Sequence, residues 1–269
     1  MASKKEKETL GKDLLPGAHH HRAFIGPPGA YDVVAHMQFN LLTLLGLREE
    51  HYLLDIGCGS LRGGRLFIVY LLPGRYFGIE PEQWLIEEGI KQELSRDFIA
   101  LKQPRFSNDR NFACSSFGME FDFVLAQSIF SHAAPGQIQR CLQEVRKCMK
   151  PTSLFAATFM EGEKNYAGSD WVYPDCVTYR LSWLQETAAK AGLTCTPVEW
   201  FHPAGQTWVL LARPENQPQT QELATLNKMV LLKEELRNTK ERLAALERHP
   251  YVRAGKQINR LLRKVRRSK

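Results

Sequence analysis

The chain has 269 residues, 43% hydrophobic content and a formal net charge of +7, enough apolar material for one full-sized core with an appendage. Its longest apolar runs, near residues 153–160 and 208–212, are far short of the roughly 20 residues of a membrane span, and no apolar leader precedes Gly11. Residues 251–269 carry eight basic side chains and no acid, so the rest of the chain is close to neutral and the basicity belongs to the tail.

Residues 1–17 are mostly charged or small and are expected to be mobile. Residues 1–30 form an N-terminal segment whose stretch 19–31, rich in histidine and aromatic residues, is suited to fold over a site as a lid. His19, His20 and His21 have no cysteine cluster or spaced histidine beside them, so no zinc site is expected there. From residue 31 to 47 the apolar positions Val34, Met37, Leu41, Leu42 and Leu45 lie on one helical face, and Gly46 interrupts them. An α/β rhythm follows. Residues 52–56 read as a buried strand, 57–64 as a glycine-rich turn and 65–72 as a helix. Residues 76–80 read as a second strand, and 81–93 as a helix with Pro81 at its start. A weak strand is expected near Arg105 and Phe106, and a strong one over 121–126. Helix 137–150 and strand 153–159 follow, with Pro151 in the turn between them. Helix 181–191 has Gly192 as its C-cap, and strands 196–201 and 207–212 close the series.

Strands separated by helices of these lengths predict an α/β fold: a Rossmann-like, seven-stranded, mostly parallel sheet with helices on both faces. After Arg213 the composition changes. Residues 214–221 are a polar linker, 222–249 a long amphipathic helix, and Pro250 breaks it before a short basic helix. The expected organisation is an N-terminal segment 1–30, a catalytic domain 31–213 and a helical extension 214–269. The six cysteines, Cys58, Cys114, Cys141, Cys148, Cys176 and Cys195, form no CxxC pair. They read as free thiols of a reducing cytoplasm.

The chemistry is concentrated in Asp55-Ile56-Gly57-Cys58-Gly59-Ser60-Leu61-Arg62-Gly63-Gly64. A strand enters a turn whose glycines let backbone approach a ligand, and a helix with unpaired N–H groups begins after it. Glu80 ends the second strand, 21 residues beyond Gly59. An acid there is placed to bond both hydroxyls of a ribose. The phosphate-loop pattern GxxxxGK[ST] is absent, which disfavours ATP hydrolysis. Arg62 stands where a dinucleotide fingerprint has its third glycine, which disfavours a nicotinamide cofactor.

Asp55 to Gly59 resembles the first motif of class I S-adenosylmethionine-dependent methyltransferases, and the order of elements resembles that family from about residue 31 to 213. Family members usually continue with a small residue and another glycine, whereas here Ser60 precedes Leu61 and Arg62. The resemblance implies S-adenosylmethionine as cofactor. It implies Asp55, Gly57, Gly59, Ser60 and Arg62 around the turn and Glu80 on the ribose. Asp109 and Phe112 would lie near the adenine, and Gln127 and Ser128 at the methionine portion. It also implies a reversed final hairpin, which distinguishes these enzymes from dehydrogenases.

In such sheets ligands bind beyond the carboxyl ends of the strands. His132, just past the fourth strand, is the candidate general base, its free pKa lying near neutrality; a local packing role is the alternative. Tyr31, Glu161, Tyr166, Asp170, Trp171 and Tyr173 are candidate acceptor contacts, since aromatics beside carboxylates suit sugars or rings. Glu161, Glu163 and Asp170 are hard oxygen donors, but their spacing is not diagnostic and a divalent metal is not expected. Where amino-methylating members carry Asn/Asp-Pro-Pro-Tyr/Phe, this chain has Gln127-Ser128-Ile129-Phe130, which favours a saccharide or other small hydroxyl acceptor. RNA or protein methylation and a catalytically silent scaffold are the alternatives. The helical extension is suited to homodimerisation or to peripheral contact with an anionic membrane. Nucleic acid is disfavoured by the neutral body. Residues 246–253 resemble appendages of bacterial carbohydrate-modifying enzymes, which points the acceptor toward a glycan.

Overall fold

The structure, a computed structural model, describes residues 10–216, 218 and 221–248. Its elements in chain order are α1 (Tyr31–Leu44), β1 (Leu53–Ile56), α2 (Gly64–Tyr70), β2 (Tyr76–Ile79), α3 (Gln83–Glu93), α4 (Arg96–Lys102), β3 (Arg105–Ser107), β4 (Phe121–Ala126), α5 (Pro135–Lys147), β5 (Met149–Glu161), β6 (Thr178–Tyr179), α6 (Leu181–Lys190), β7 (Thr194–Val198), β8 (Thr207–Ala212) and α7 (Gln221–Arg248). The sheet runs β3-β2-β1-β4-β5-β8-β7, with the two-residue β6 attached to β5. The strands β3, β2, β1, β4 and β5 pair in parallel, and β8 pairs antiparallel with both β5 and β7. This is the expected Rossmann-like sheet with its reversed final hairpin.

Helices cover both faces because the central strands are apolar on both sides. Along β1 and β2, Leu54, Ile56, Phe77 and Ile79 pack with Ile138, Leu142 and Val145 of α5 and Leu184 of α6. Leu53 and Tyr76 face the other way, onto Leu41 and Leu42 of α1, Phe67 of α2 and Ile86 of α3. Alternation of period two sends successive residues to opposite layers. Helix α1 ends at a C-terminal cap: Gly46 takes φ +102, and the Leu47 amide returns to the Leu42 carbonyl at 2.9 Å, closing off carbonyls the helix leaves unpaired.

Strand β5 begins earlier than expected and contains Pro151. Met149 pairs with Phe121 and Leu154 with Phe123, so the register slips between them. A proline, lacking an N–H, is accommodated in such an irregularity. The helix after β2 starts at Gln83 rather than Pro81, and α4 carries no buried residue.

The strand order reverses between β1 and β4, and the crevice at that switch is where ligands bind in open α/β sheets. It places the ends of β1 and β4, and therefore residues 57–64 and 127–132, at one mouth. The chain divides into two compact units, Met1–Leu223 and Ala224–Lys269. In the second, α7 exposes Leu236, Leu243 and Leu246. The expected mobility of residues 1–9 and the basic helix beyond Pro250 lie outside the described residues. No described helix is long and apolar enough to cross a membrane, and the described cysteines are all free, with Cys176 exposed.

Candidate active site

One cavity of about 540 Å³ opens at the switch point, lined by residues of the glycine turn, Glu80, the segment 109–112, Gln127, Ser128, His132, Trp171 and Tyr173. Its floor is the turn after β1. Gly57 and Gly59 have φ of +71 and +54; a Cβ on Gly57 would lie 2.1 Å from Ile129 Cδ1, and one on Gly59 would lie 3.0 Å from Ile25 Cγ2. Left-handed backbone without a side chain is what these positions require. Leu61, Phe112 and Ser128 are also left-handed, with φ of +60, +59 and +58. Such strain, roughly 1–3 kcal/mol per residue, persists where the surroundings over-determine it. Gly63 lets Gln38 approach: a Cβ there would lie 2.4 Å from its Oε1.

Glu80 is buried at the cavity edge. Its carboxylate accepts the Gly59 N–H at 3.0 Å and the Glu82 N–H at 2.9 Å. Burial outweighs these bonds and pushes its pKa up to about 7. Asp55 is buried beneath the turn, accepts the Tyr76 hydroxyl at 2.7 Å, and is pushed up by burial to about 6. Asp109 takes the Asn111 and Ala113 amides on one oxygen, at 2.7 and 2.8 Å, and so holds the loop that turns Phe112 toward the cavity.

Gln127 is a hub. Its Oε1 accepts from Gln38 at 3.0 Å and from Arg62, and its Nε2 donates to Ser128 Oγ and lies 2.9 Å from His202 Nε2. Burial, with Arg62 adding to it, lowers His202 to about 4, so the ring is neutral, and its Nδ1 accepts the Ala204 amide at 3.2 Å. The Ser128 amide donates to Thr158 at 2.7 Å, and Ser128 Oγ accepts from Gln206 at 2.8 Å.

His132 Nδ1 faces the carbonyls of Val172 at 3.0 Å and Asp175 at 2.8 Å, which requires the proton on Nδ1 and leaves Nε2 as the ring's acceptor. Burial lowers its pKa below the ordinary histidine range. Trp171 and Tyr173 flank the ring at 5.7 and 5.0 Å between centroids.

Residues 19–25 supply part of the cavity's cover. Phe24 and Ile25 line it, with Phe24 against Trp84 at 5.1 Å and Tyr173 at 5.6 Å. Arg22 pairs with Glu93 at 2.6 Å, and Arg65 and His21 reach the same carboxylate.

The expected cofactor contacts Asp55, Gly57, Gly59, Arg62, Glu80, Asp109, Phe112, Gln127 and Ser128 converge on this cavity, as do His132, Trp171 and Tyr173. Ser60 and Tyr31 lie behind its wall. Ser60 Oγ donates to the His21 carbonyl at 2.6 Å and Tyr31 Oη to the Ser60 carbonyl at 3.2 Å, tying the N-terminal segment to the turn. Tyr31 is fully buried beneath the Arg22 guanidinium, 4.4 Å from its ring, so it is closed to an acceptor. Glu161, Tyr166 and Asp170 also lie off the cavity. Glu161 accepts from Thr207 at 3.2 Å on the neighbouring strand β8, Tyr166 packs on the core, and Asp170 is exposed beside Ser169. Gln38 escaped the sequence reading, although a glutamine among the apolar positions of α1 was a signal. Thr158, His202 and Gln206 gave none, because their partners are 30 to 78 residues distant. No group of three metal-binding side chains converges among the described residues.

No family model matches the chain. Solved structures do. Magnesium protoporphyrin IX methyltransferase from Synechocystis with bound S-adenosylmethionine aligns at a TM-score of 0.50 and 12% identity, over 68% of this chain and 82% of that one. A glycopeptide N-methyltransferase complexed with S-adenosylmethionine aligns at 0.51 and 10%, over 68% of this chain and 95% of that one. The sheet order, the reversed hairpin and these alignments together show that the chain has the fold of the class I S-adenosylmethionine-dependent methyltransferases.

Proposed function

We propose that the chain is an S-adenosylmethionine-dependent methyltransferase that moves a methyl group to a hydroxyl of a saccharide or other small molecule. The observation that carries this reading is that one cavity is lined both by the Gly57–Gly59 turn with Glu80 and by His132, whose Nδ1 is tied to backbone carbonyls. The residues present fit the cofactor: the left-handed Gly57–Gly59 turn lines the cavity, and a buried carboxylate stands beside it at the end of β2. When bound, the sulfonium supplies an already activated methyl group, so the protein's work is alignment more than covalent chemistry.

Glu80 bonds the ribose hydroxyls while its backbone partners fix its orientation. Asp109 shapes the adenine side by holding Phe112, and Gln127 and Ser128 bound the methionine side. Phe24, Ile25 and Trp171 exclude water. His132 is held by Val172 and Asp175 so that Nε2 takes the proton of an acceptor hydroxyl. Its lowered pKa keeps it unprotonated at neutral pH.

Incubation with S-adenosylmethionine and a panel of hydroxylated saccharides and small phenols, read by mass spectrometry, tests this reading. The expected result is an acceptor gaining one methyl on oxygen, with turnover lost by about 10²-fold or more in His132→Ala and cofactor affinity retained. Methylation on nitrogen alone, or unchanged turnover in His132→Ala, overturns the respective assignment.

A further inference from the structure

Arg62 and Tyr173 face the same cavity, and each has a buried polar atom without a hydrogen-bond partner: Arg62 Nε and Tyr173 Oη. Buried donors are rarely left unpaired, so both call for an explanation. The Arg62 guanidinium gives Nη1 to the Ile25 carbonyl at 2.9 Å and Nη2 to Gln127 Oε1. Both acceptors are neutral, and no ion pair to Arg62 forms among the described residues. Asp55 acts on it through space, but that carboxylate is bonded to Tyr76. His202, pushed down to about 4, is no counter-ion. Burial lowers Arg62 to about 10, and it remains a cation at neutral pH.

Tyr173 is pushed up by burial to about 12, so its hydroxyl is a donor. Arg62 is among the charges acting on it, which places the two donors in one neighbourhood. A cation and a neutral donor, both unsatisfied and both at the cavity, are matched by an anion with lone pairs on two oxygens. A guanidinium meets a carboxylate through paired N–H bonds.

We infer that Arg62 and Tyr173 form a carboxylate subsite that takes the amino-acid carboxylate of the methyl donor. This rests on the proposed function. The placement follows from the cavity's two ends. Glu80 marks the nucleoside end at β2, whereas Arg62 is bonded to Gln127 at the end of β4. The donor's other charged groups, sulfonium and ammonium, are cations, so its carboxylate alone suits Arg62. The arginine standing where dinucleotide sites have a glycine thereby has a use: it supplies the charge that a bare turn lacks.

Calorimetric titration of the full chain with S-adenosylmethionine and with its decarboxylated analogue tests the subsite. The analogue is expected to bind about 10- to 100-fold more weakly, the scale of a charge-assisted hydrogen-bonded pair. In Arg62→Met the gap between the two ligands closes, and in Tyr173→Phe it narrows. Equal affinity of the wild type for both ligands overturns the subsite and leaves the methyl-donor reading standing. That result needs no variant, so misfolding of Arg62→Met cannot shield the inference. Binding of neither ligand by folded wild type overturns the subsite and the proposed function together.

Discussion

The two halves of the cavity are built differently. Its floor stands on strand ends and is nearly saturated with hydrogen bonds. Asp55 is held by Tyr76, Glu80 by two backbone amides, and Gln127 by Gln38, Arg62, Ser128 and His202. Its aromatic wall stands on loops. Trp171 is exposed, Tyr173 has an unpaired hydroxyl, and Phe24 comes from a segment outside the sheet. Rigid elements hold a common ligand in fixed geometry, whereas loops are where specificity varies. A cofactor shared by many enzymes belongs on the floor, with Tyr173 reaching it from the wall, and a particular acceptor on the rest of the wall.

The contrast breaks if the floor tolerates added bulk as readily as the periphery does. Gly89 on α3 supports the floor from outside the cavity: a Cβ there would lie 2.4 Å from the Ser60 carbonyl oxygen and 2.6 Å from its carbon. Backbone cannot swing aside as a side chain does, so Gly89→Ala is expected to cost about 1–3 kcal/mol of stability through overpacking and to weaken cofactor binding by displacing the turn. Gly136, near the start of α5, has open space where a Cβ would stand, with nothing within 4 Å. Gly136→Ala is expected to be neutral or to stabilise by up to about 1 kcal/mol. Thermal melts of both variants decide the matter; equal losses would remove the distinction.

The smallest effect is expected from the second unit. Leu223 is buried in the core of the first unit, and the described residues beyond it supply no strand or cavity lining. A chain ending after Leu223 is therefore expected to bind cofactor as the whole protein does. The exposed Leu236, Leu243 and Leu246 suit a helical partner, so light scattering is expected to show a dimer that the shortened chain loses. Loss of cofactor binding on shortening would place α7 in the catalytic body instead.

Much of this division was legible in the sequence. Strands β1, β2 and β4 announced themselves as short apolar runs, and β1 with its glycines and Glu80 marked the cofactor half because strand, turn and acid act over a short stretch of chain. The hairpin followed from the family resemblance; β8 keeps its expected bounds, whereas β7 lies at Thr194–Val198, before the expected 196–201. Helix α4 was not, since it is short and buries nothing, and the start of β5 was hidden by Pro151, which reads as a turn until the slipped register is seen. The acceptor half was read less well. Tyr166, Asp170 and Glu161 share a polar, aromatic stretch with Trp171 and Tyr173, and composition cannot say which of them turn inward. Tyr31 looked available because helix periodicity does not reveal that Arg22 covers it. The links from Gln127 to Gln38 and His202 span 89 and 75 residues, a separation at which pattern carries no information and tertiary packing decides.

The central claim is that this cavity binds S-adenosylmethionine through Glu80. Its most direct test is calorimetric titration of the cofactor into wild type and Glu80→Ala across the neutral pH range. Glu80 is raised from 4.5 to about 7, so below that value it holds a proton and cannot accept from both amides and hydroxyls, and above it the carboxylate is ionised. Wild-type affinity is therefore expected to be full in mild alkali and to fall as pH drops through about 7. Glu80→Ala is expected to bind about 1–3 kcal/mol more weakly at high pH, the scale of hydrogen bonds to a charged group, with that pH dependence lost. Equal affinity of the two proteins, or no binding by a folded wild type, would contradict the claim.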